Sequence, residues 1–439
     1  MDAGAASARA LALTAAGDEA AAIAVLEVAY AAAPAPALAV NLGRLLWRHE
    51  GSYERGRSLL EDAAAARPGM AAAWLNLADA RAAADDPATE AAYRRCLLLE
   101  PGRAEVHWSL ATDLIVRGAA SRAWPHFAWR ARHPQVRRRP TPFPPIAAAA
   151  ERRGALLVWS NEGVGEDLRY ARLLADPAIW RPRFDRLILE TDPRLAALLS
   201  RSLPHVAVVA RAWPPDARTA DPDIVAHAAL ADLVPLACGA GADVPGPDTW
   251  LRPDPARAAA LRARYRALAA REGASTVVGL SWRSFGTPFA AAKSIPLSLL
   301  APLLEREDAL VVSLQYGDCA GDIAALPAHL RHRVHVDPAI DPAADLDGFA
   351  AQVAAMDLVV SSSNTTVHVA GALGVPVWAL VHRGPPTTPY WHAGRSDTPW
   401  YRSARIWRQD IPGDWGGTVQ RVAAAFRARF PLSAPPAFR

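Results

Sequence analysis

The sequence predicts an α-helical repeat array followed by two parallel-sheet α/β domains of Rossmann type, and three observations carry that prediction. Prolines recur at Pro34, Pro68, Pro101 and Pro134, at spacings of 34, 33 and 33, in a region otherwise dominated by Ala, Leu and Arg. From Ala155 the pattern changes to short β-rich apolar runs alternating with helical stretches. The helical stretch "DPARAAALRARYRALAAREG" then divides those runs into two sets.

The proline period comes first along the chain. Ala is the best helix former and Pro stops helices, so each period should hold a pair of helices closed by a turn. Small residues stand where two helices must approach, at Ala22, Gly56 and Ala123. Each is followed four positions on by a large apolar residue, Leu26, Leu60 and Phe127. Trp74/Leu77/Ala78 and His107/Leu110/Ala111 sit at matched offsets in "AAAWLNLADA" and "AEVHWSLATDL". This period and alternation resemble the tetratricopeptide repeat, in about four units over residues 1–134. Stacked helix pairs leave a concave groove whose usual ligand is a peptide or protein, so a protein partner is expected for the array. Trp47, Trp74 and Trp108 are explained singly as core filling.

Residues 135–153 are rich in Pro and Arg, with Pro140, Pro142, Pro144 and Pro145 close together, and read as a linker carrying a solvated charge run. The runs "ALLVWS", "RLILE" and "VAVVA" assign 154–252 to a first Rossmann-like domain, and 253–272 forms a connecting helix. The runs "TVVGLSW", "ALVVSLQ", "RVHV", "DLVVSSS" and "PVWALV" assign 273–430 to a second. Continuous apolar strands separated by helices imply parallel sheets covered on both faces. Ligands of such sheets sit at the carboxyl ends of strands, so the loops after "VWS", "LSW", "SLQ" and "SSS" are where chemistry is expected.

The last of these loops, "DLVVSSSNTTVHVAGALGVPVWAL", is the most informative. A strand ends at Ser363, Asn364 caps, and a helix begins whose free N–H groups and positive dipole end favour a phosphate. Thr365 and Thr366 add hydroxyl donors, and His368 lies one turn on, near the face of Asn364. Capping alone explains Asn364 but not the two threonines and His368 together. Gly371 and Gly374 fit close packing and a helix stop.

With "TPWYRSARIWRQ", "VVSLQYGD" and "LSWRS...KSIPL", this segment is similar to the nucleotide-sugar domain of heptosyltransferase-like glycosyltransferases of the two-domain GT-B fold. More closely, the chain resembles bacterial proteins that join tetratricopeptide repeats to such a domain, some of which glycosylate flagellin. The resemblance implies that Lys293, the one lysine among 48 Lys and Arg residues, contacts the donor phosphates. An ammonium on a flexible stem suits a point contact to phosphate where a guanidinium fork needs fixed geometry. Ser281, Arg283 and Gln315 are its candidate companions at the donor site. In the other half, Gly163 and Gly165 of "VWSNEGVGEDLRYARLL" make a tight strand-to-helix turn on the acceptor side. The family carries an aspartate base after the second glycine; here Glu166 stands there, with Asp167 next. Both are candidates for the carboxylate that takes the acceptor hydroxyl proton, and acidic residues complementing a helix dipole are the alternative explanation.

Composition bounds the rest. With 51% hydrophobic and 21% charged residues the chain is globular, and a net charge of +4 against 44 acidic residues gives no general case for nucleic acid. Cys96, Cys238 and Cys319 are too far apart for a cysteine zinc cluster or a disulfide framework, which fits a reducing cytoplasm. No signal peptide or uninterrupted apolar span is read, so no membrane insertion is expected. His329, His332 and His335 lack a carboxylate spacing for a metal, and His382, Arg383, His392 and Arg395 flank a departure from the family pattern at "GPPTTPYW". The expectation is an inverting glycosyltransferase needing no metal or other cofactor, with a nucleotide sugar as donor and a protein Ser or Thr, such as one of flagellin, as acceptor. Transfer to lipopolysaccharide or another glycan, and a non-catalytic scaffold, stand as the alternatives.

Overall fold

The computed structural model describes residues 2–48, 51–134, 136–148, 153–238, 244, 246–285, 290–383 and 390–431. Contacts divide the chain into two compact units, residues 1–135 with 383–393, and residues 136–382 with 394–439. No helix among the described residues is long and apolar enough to cross a membrane.

The first unit contains four successive helix pairs: α1 (Ala3–Ala15) with α2 (Glu19–Ala32), α3 (Pro36–Leu46) with α4 (Tyr53–Ala66), α5 (Ala71–Ala83) with α6 (Thr89–Leu99), and α7 (Ala104–Val116) with α8 (Ala120–Phe127). Every period proline follows the second helix of its pair, where a residue without an N–H costs no helical hydrogen bond. Asp2 and Asp18 open α1 and α2 by accepting from Ala5 N and Ala21 N. Ala22, Leu26, Leu60, Ala123 and Phe127 are all buried, so the small-and-large alternation marks the helix seams. Trp47 is buried, while Trp74 is half-buried and donates to the Pro68 carbonyl at 2.9 Å. Arg383 and residues 390–393, assigned above to the second Rossmann-like domain, cluster with this unit. Arg383 pairs with Asp85 at 3.4 Å and Ala393 N donates to Val116 O at 2.8 Å. Such long-range contacts leave no local trace in sequence. Residues 384–389 of "GPPTTPYW" lie outside the described residues.

The second unit holds two parallel sheets. Strands β1 (Ala155–Trp159), β2 (Arg186–Thr191), β3 (Ala207–Ala210) and β4 (Ile224–Ala229) form a four-stranded sheet in the order β3-β2-β1-β4. Strands β5 (Thr276–Ser281), β6 (Ala309–Ser313), β7 (Val334–His335), β8 (Leu358–Ser362), β9 (Val377–Val381) and β10 (Ala404–Arg408) form a six-stranded one in the order β10-β9-β8-β5-β6-β7. Counted within itself, the larger sheet has the 3-2-1-4-5-6 order of a Rossmann fold, and the smaller has its first four strands. β1, β5, β6, β8 and β9 are buried along their whole length, as their unbroken apolar runs require. β4 and β10 have no counterpart among the predicted runs. Both are edge strands, one alanine-rich and the other alternating arginine with apolar residues, and edges do not need the continuous apolar signature. The connecting helix spans Pro255–Arg271, opened by Asp254 accepting from Arg257 N.

The described part of the Pro/Arg-rich segment packs into this unit. Phe143 joins the core formed by Ala155, Leu157, Ile188, Val209 and Ile224, the Pro144 carbonyl accepts from His227 N at 2.9 Å, and Pro145 bridges His227. The Arg139 guanidinium forks onto Glu190 at 2.6 and 3.0 Å. Residues 135 and 149–152 of that segment lie outside the described residues.

A histidine pair in the repeats generates a test. His107 Nε2 lies 2.9 Å from the Pro101 carbonyl, which only accepts, and His107 Nδ1 lies 2.7 Å from His126 Nδ1. Burial, then the neighbouring His107 and Arg94, push the His126 pKa below its ordinary 6.5. The unfolded chain therefore takes up the proton first, and this contribution is intact above about pH 6.5 and lost as pH falls through the lower folded value. Thermal melts should drop more steeply with acidification for the natural chain than for His126→Asn; equal slopes would remove the pair from the account.

Candidate functional site

The strand order of the larger sheet reverses between β5 and β8, and a crevice opens outside the carboxyl ends of strands at such a reversal. Ser281 ends β5 there. Beyond β8, Asn364 turns in extended conformation (φ −138°, ψ −171°) and the helix Thr365–Leu373 begins. Asn364 Oδ1 accepts from Thr366 N at 2.9 Å and from Ser361 Oγ at 3.1 Å, while Nδ2 lies 2.8 Å from Ser281 Oγ and 3.2 Å from the Arg283 carbonyl. From the end of β6, Gln315 Oε1 accepts from Trp282 N at 2.9 Å and Arg283 N at 2.7 Å, with Ser281 Oγ at 3.3 Å. Asn364, Gln315 and Ser281 are all buried, so these three donor-site candidates turn their polar atoms on one another and on backbone. They form a frame that ties three strand ends together.

Arg283 is likewise engaged. Its guanidinium meets Asp322 at 3.1 Å, donates to the Asp318 carbonyl, and lies 4.5 Å over the Phe285 ring. Thr366 is fully buried with no hydrogen-bond partner at Oγ1, whereas Thr365, the first residue of its helix, is half-buried. The helix ends at Gly374 in left-handed conformation (φ 74°), as the sequence implied.

The two halves of the unit meet through α9 (Val164–Ala171), which follows β1. A Cβ on Gly165 would lie 2.8 Å from His368 Cδ2 and 3.3 Å from Thr365 Cα and Oγ1. The first turn of α9 therefore rests directly on the first turn of the Thr365 helix, and Gly165 is what permits it. Glu166, half-buried, folds its carboxylate back over the start of its own helix, with Oε2 2.9 Å from where a Gly163 Cβ would stand. Burial pushes its pKa up, against the pull of Arg169 and, more weakly, Lys293. Lys293 ends the short helix Ala290–Lys293. Burial pushes its ammonium down while Glu166 holds it up. His368 is buried and kept neutral by that burial and by the charges of Arg169 and Lys293, and its Nδ1 lies 3.0 Å from the Tyr401 hydroxyl. Glu166, Lys293 and His368 thus share one electrostatic neighbourhood, beside Gly165 and Thr365.

Asp167 differs from its neighbour. It is buried, bonds to Ser160 and to the Glu162 backbone, and leaves Oδ1 without a hydrogen-bond partner. Burial brings its pKa up to about 7. It holds the loop after β1.

Sequence reasoning singled out neither Tyr401, Asp322 nor Arg169. Tyr401 lies within the quoted "TPWYRSARIW" and packs its ring on Gly371, so a signal existed. Arg169 stands one turn after Gly165 on the same face and stacks between Tyr170 at 4.1 Å and Trp400 at 4.9 Å. Among the described residues no group of three or more His, Cys, Asp or Glu could hold a metal ion.

No family model matches the chain. In sequence it is similar to protein FlbA of Caulobacter vibrioides, 31% identical over 394 residues that cover 85% of this chain and 63% of that protein. The chain thus spans less than two thirds of that relative's length. Among solved structures it is similar to the E. coli ADP-heptose lipopolysaccharide heptosyltransferase II, with 18% identity, 62% of this chain and 98% of that one covered, and a TM-score of 0.43. It is also similar to a mutant of the Thermobaculum terrenum O-GlcNAc transferase, with 17% identity, 97% and 92% covered, and a TM-score of 0.33.

Asn364→Ala removes the side chain that joins β5, β8 and the helix start and leaves buried partners unmet. It should lower stability by about 2–4 kcal/mol in denaturant titration; a loss under about 0.5 kcal/mol would show that the frame is not needed. Gly165→Ala should destabilise by about 1–3 kcal/mol through the His368 overlap, read in the same titration, and Ala at Gly321, which meets nothing within 4 Å of its Cβ position and has no positive φ, is the comparison.

Proposed function

We propose that the chain is a glycosyltransferase that moves a sugar, with inversion, from a nucleotide-sugar donor to a Ser or Thr hydroxyl of a protein acceptor. Flagellin is one acceptor of the expected kind, the helical repeats would recruit it, and the cytoplasm, which holds nucleotide sugars, is the expected compartment. The observation that carries this reading is the contact at Gly165. It gathers a carboxylate, an ammonium and a helix N-terminus at the carboxyl edges of two Rossmann-type sheets.

In this reading the acceptor oxygen attacks the anomeric carbon as the bond from that carbon to the donor phosphate oxygen breaks. The hydroxyl proton passes to the Glu166 carboxylate, whose raised pKa makes it a better proton acceptor than an exposed glutamate. The charge released on the leaving phosphate is met by the Lys293 ammonium and by the first N–H groups and hydroxyl of the Thr365 helix. These groups are assigned the neutralising role, and no metal ion is given one. Ser281, Gln315 and Asn364 fix the strand ends that carry those groups, and Asp167 secures the acceptor-side loop.

Purified chain with a Ser/Thr acceptor protein and a panel of nucleotide sugars should add the mass of one sugar to the acceptor. Glu166→Gln should lower kcat by about 10²–10⁴-fold and Lys293→Ala by about 10²–10³-fold. Activity needs Glu166 ionised and Lys293 protonated. The acid limb of kcat/KM should therefore lie above the ordinary glutamate value of 4.5, and the alkaline limb below the ordinary lysine value of 10.5. Full activity in the double variant, or an acid limb that survives in Glu166→Gln, would overturn the assignment.

A further inference from the structure

Several features crowd the carboxyl edge of the four-stranded sheet that the proposed transfer does not use. The Pro/Arg-rich segment runs across this edge: the Arg137 carbonyl lies 3.5 Å from Asn161 Nδ2, just beyond β1, and Arg139 is locked onto Glu190 at the end of β2. Arg137 and Arg138 are exposed on a backbone held at the Arg137 carbonyl and again downstream, where Phe143 and Pro144 are anchored. Beyond β3, Arg211 N donates to the Thr191 carbonyl at 2.7 Å and its guanidinium donates to the Ser160 carbonyl, so this third exposed arginine is drawn to the same loop. Two residues further on, Trp213 is 91% exposed, an unusual setting for the largest side chain.

The acidic groups on this edge do not balance those cations. Glu190 is neutralised by Arg139, and Asp192 is forked onto Arg194 at 2.8 and 3.0 Å. Asp167 is buried. Glu162, in the loop after β1, and Glu166, in the first turn of α9, are the remaining acids, two against the three exposed arginines. A backbone anchored before a ligand arrives loses little freedom on binding, and an exposed tryptophan near arginines is the composition of a binding hot spot.

We propose that this rim docks the acceptor, and that the acceptor is an acidic peptide segment around the modified hydroxyl. Arg137, Arg138 and Arg211 meet its carboxylates and Trp213 covers its apolar part. A peptide is favoured over an anionic glycan because the same chain carries a helical-repeat array, whose ordinary ligand is a peptide. The inference rests on the transferase reading for its purpose, yet it can be measured without any donor.

The experiment uses the full chain and two labelled Ser-containing peptides of equal length, one with Glu and Asp flanking the serine and one with Gln and Asn in their place. Fluorescence anisotropy should show tighter binding of the acidic peptide, weakening as salt is raised. Arg137→Gln with Arg138→Gln, both at exposed positions, should weaken the acidic peptide about tenfold and leave the neutral one unchanged; Trp213→Ala should weaken both. Equal binding of the two peptides, no binding of either, or an acidic-peptide affinity indifferent to the arginine variants would overturn the proposal. So would binding of a labelled phosphorylated oligosaccharide where neither peptide binds. A chain that binds the acidic peptide but transfers no sugar to it from any donor sinks the transferase reading alone. Transfer that proceeds equally on both peptides, with both bound equally, sinks the acidic rim alone.

Discussion

The absence of a side chain at Gly165 is the constraint on which the second unit turns. A single methyl there would stand 2.8 Å from the imidazole of His368, closer than carbon atoms tolerate, and neither helix can retreat cheaply. His368 is pinned through Tyr401, Tyr401 is seated on Gly371, and α9 is anchored at its far end by Arg172, which donates to the carbonyls of Pro399 and Trp400 at 2.9 and 2.6 Å. With that contact in place, two helix starts lie together, and the positive ends of their dipoles add. The one lysine of the chain and a half-buried glutamate lie beside that contact, and burial is what pushes the Glu166 pKa up and the Lys293 pKa down.

Polar groups near the crevice sort into two kinds. Ser281, Gln315, Asn364 and Asp167 are sealed and spend their hydrogen bonds on strand ends and loops. Lys293, Thr365 and Glu166 keep partial access to solvent. Rigid polar support beneath a few accessible charged groups lets a site act without reorganising when charge moves.

Much of this was legible in the sequence, for identifiable reasons. The proline period located all four helix pairs, because a residue lacking an N–H is disfavoured in a helix interior and marks the breaks between pairs. Unbroken apolar runs located the central strands, while β4 and β10, at sheet edges, carried no such run. At the candidate site, the cap at Asn364 and the stop at Gly374 follow from local backbone chemistry and were readable. The role of Asn364 as a tie across β5 and β8 was not, since Ser281 lies 83 residues away. Arg283 read as a companion of Lys293 at the donor site, and its pairing with Asp322, 39 residues distant, was not readable. His368 read as a polar group near a ligand, whereas burial and the hydroxyl of Tyr401 make it a neutral hydrogen-bonding post.

The lock between Arg139 and Glu190 says where the α/β machinery begins. Glu190 is sealed at the end of β2, and its counter-charge comes from 51 residues upstream, before the first strand has started. A polypeptide starting at β1 would strand a desolvated carboxylate, at a cost of about 3–5 kcal/mol, and would also lose the aromatic plug of Phe143. The folding unit is therefore longer at its amino end than its strands declare, and a tract that looks like a tether is its first structural member.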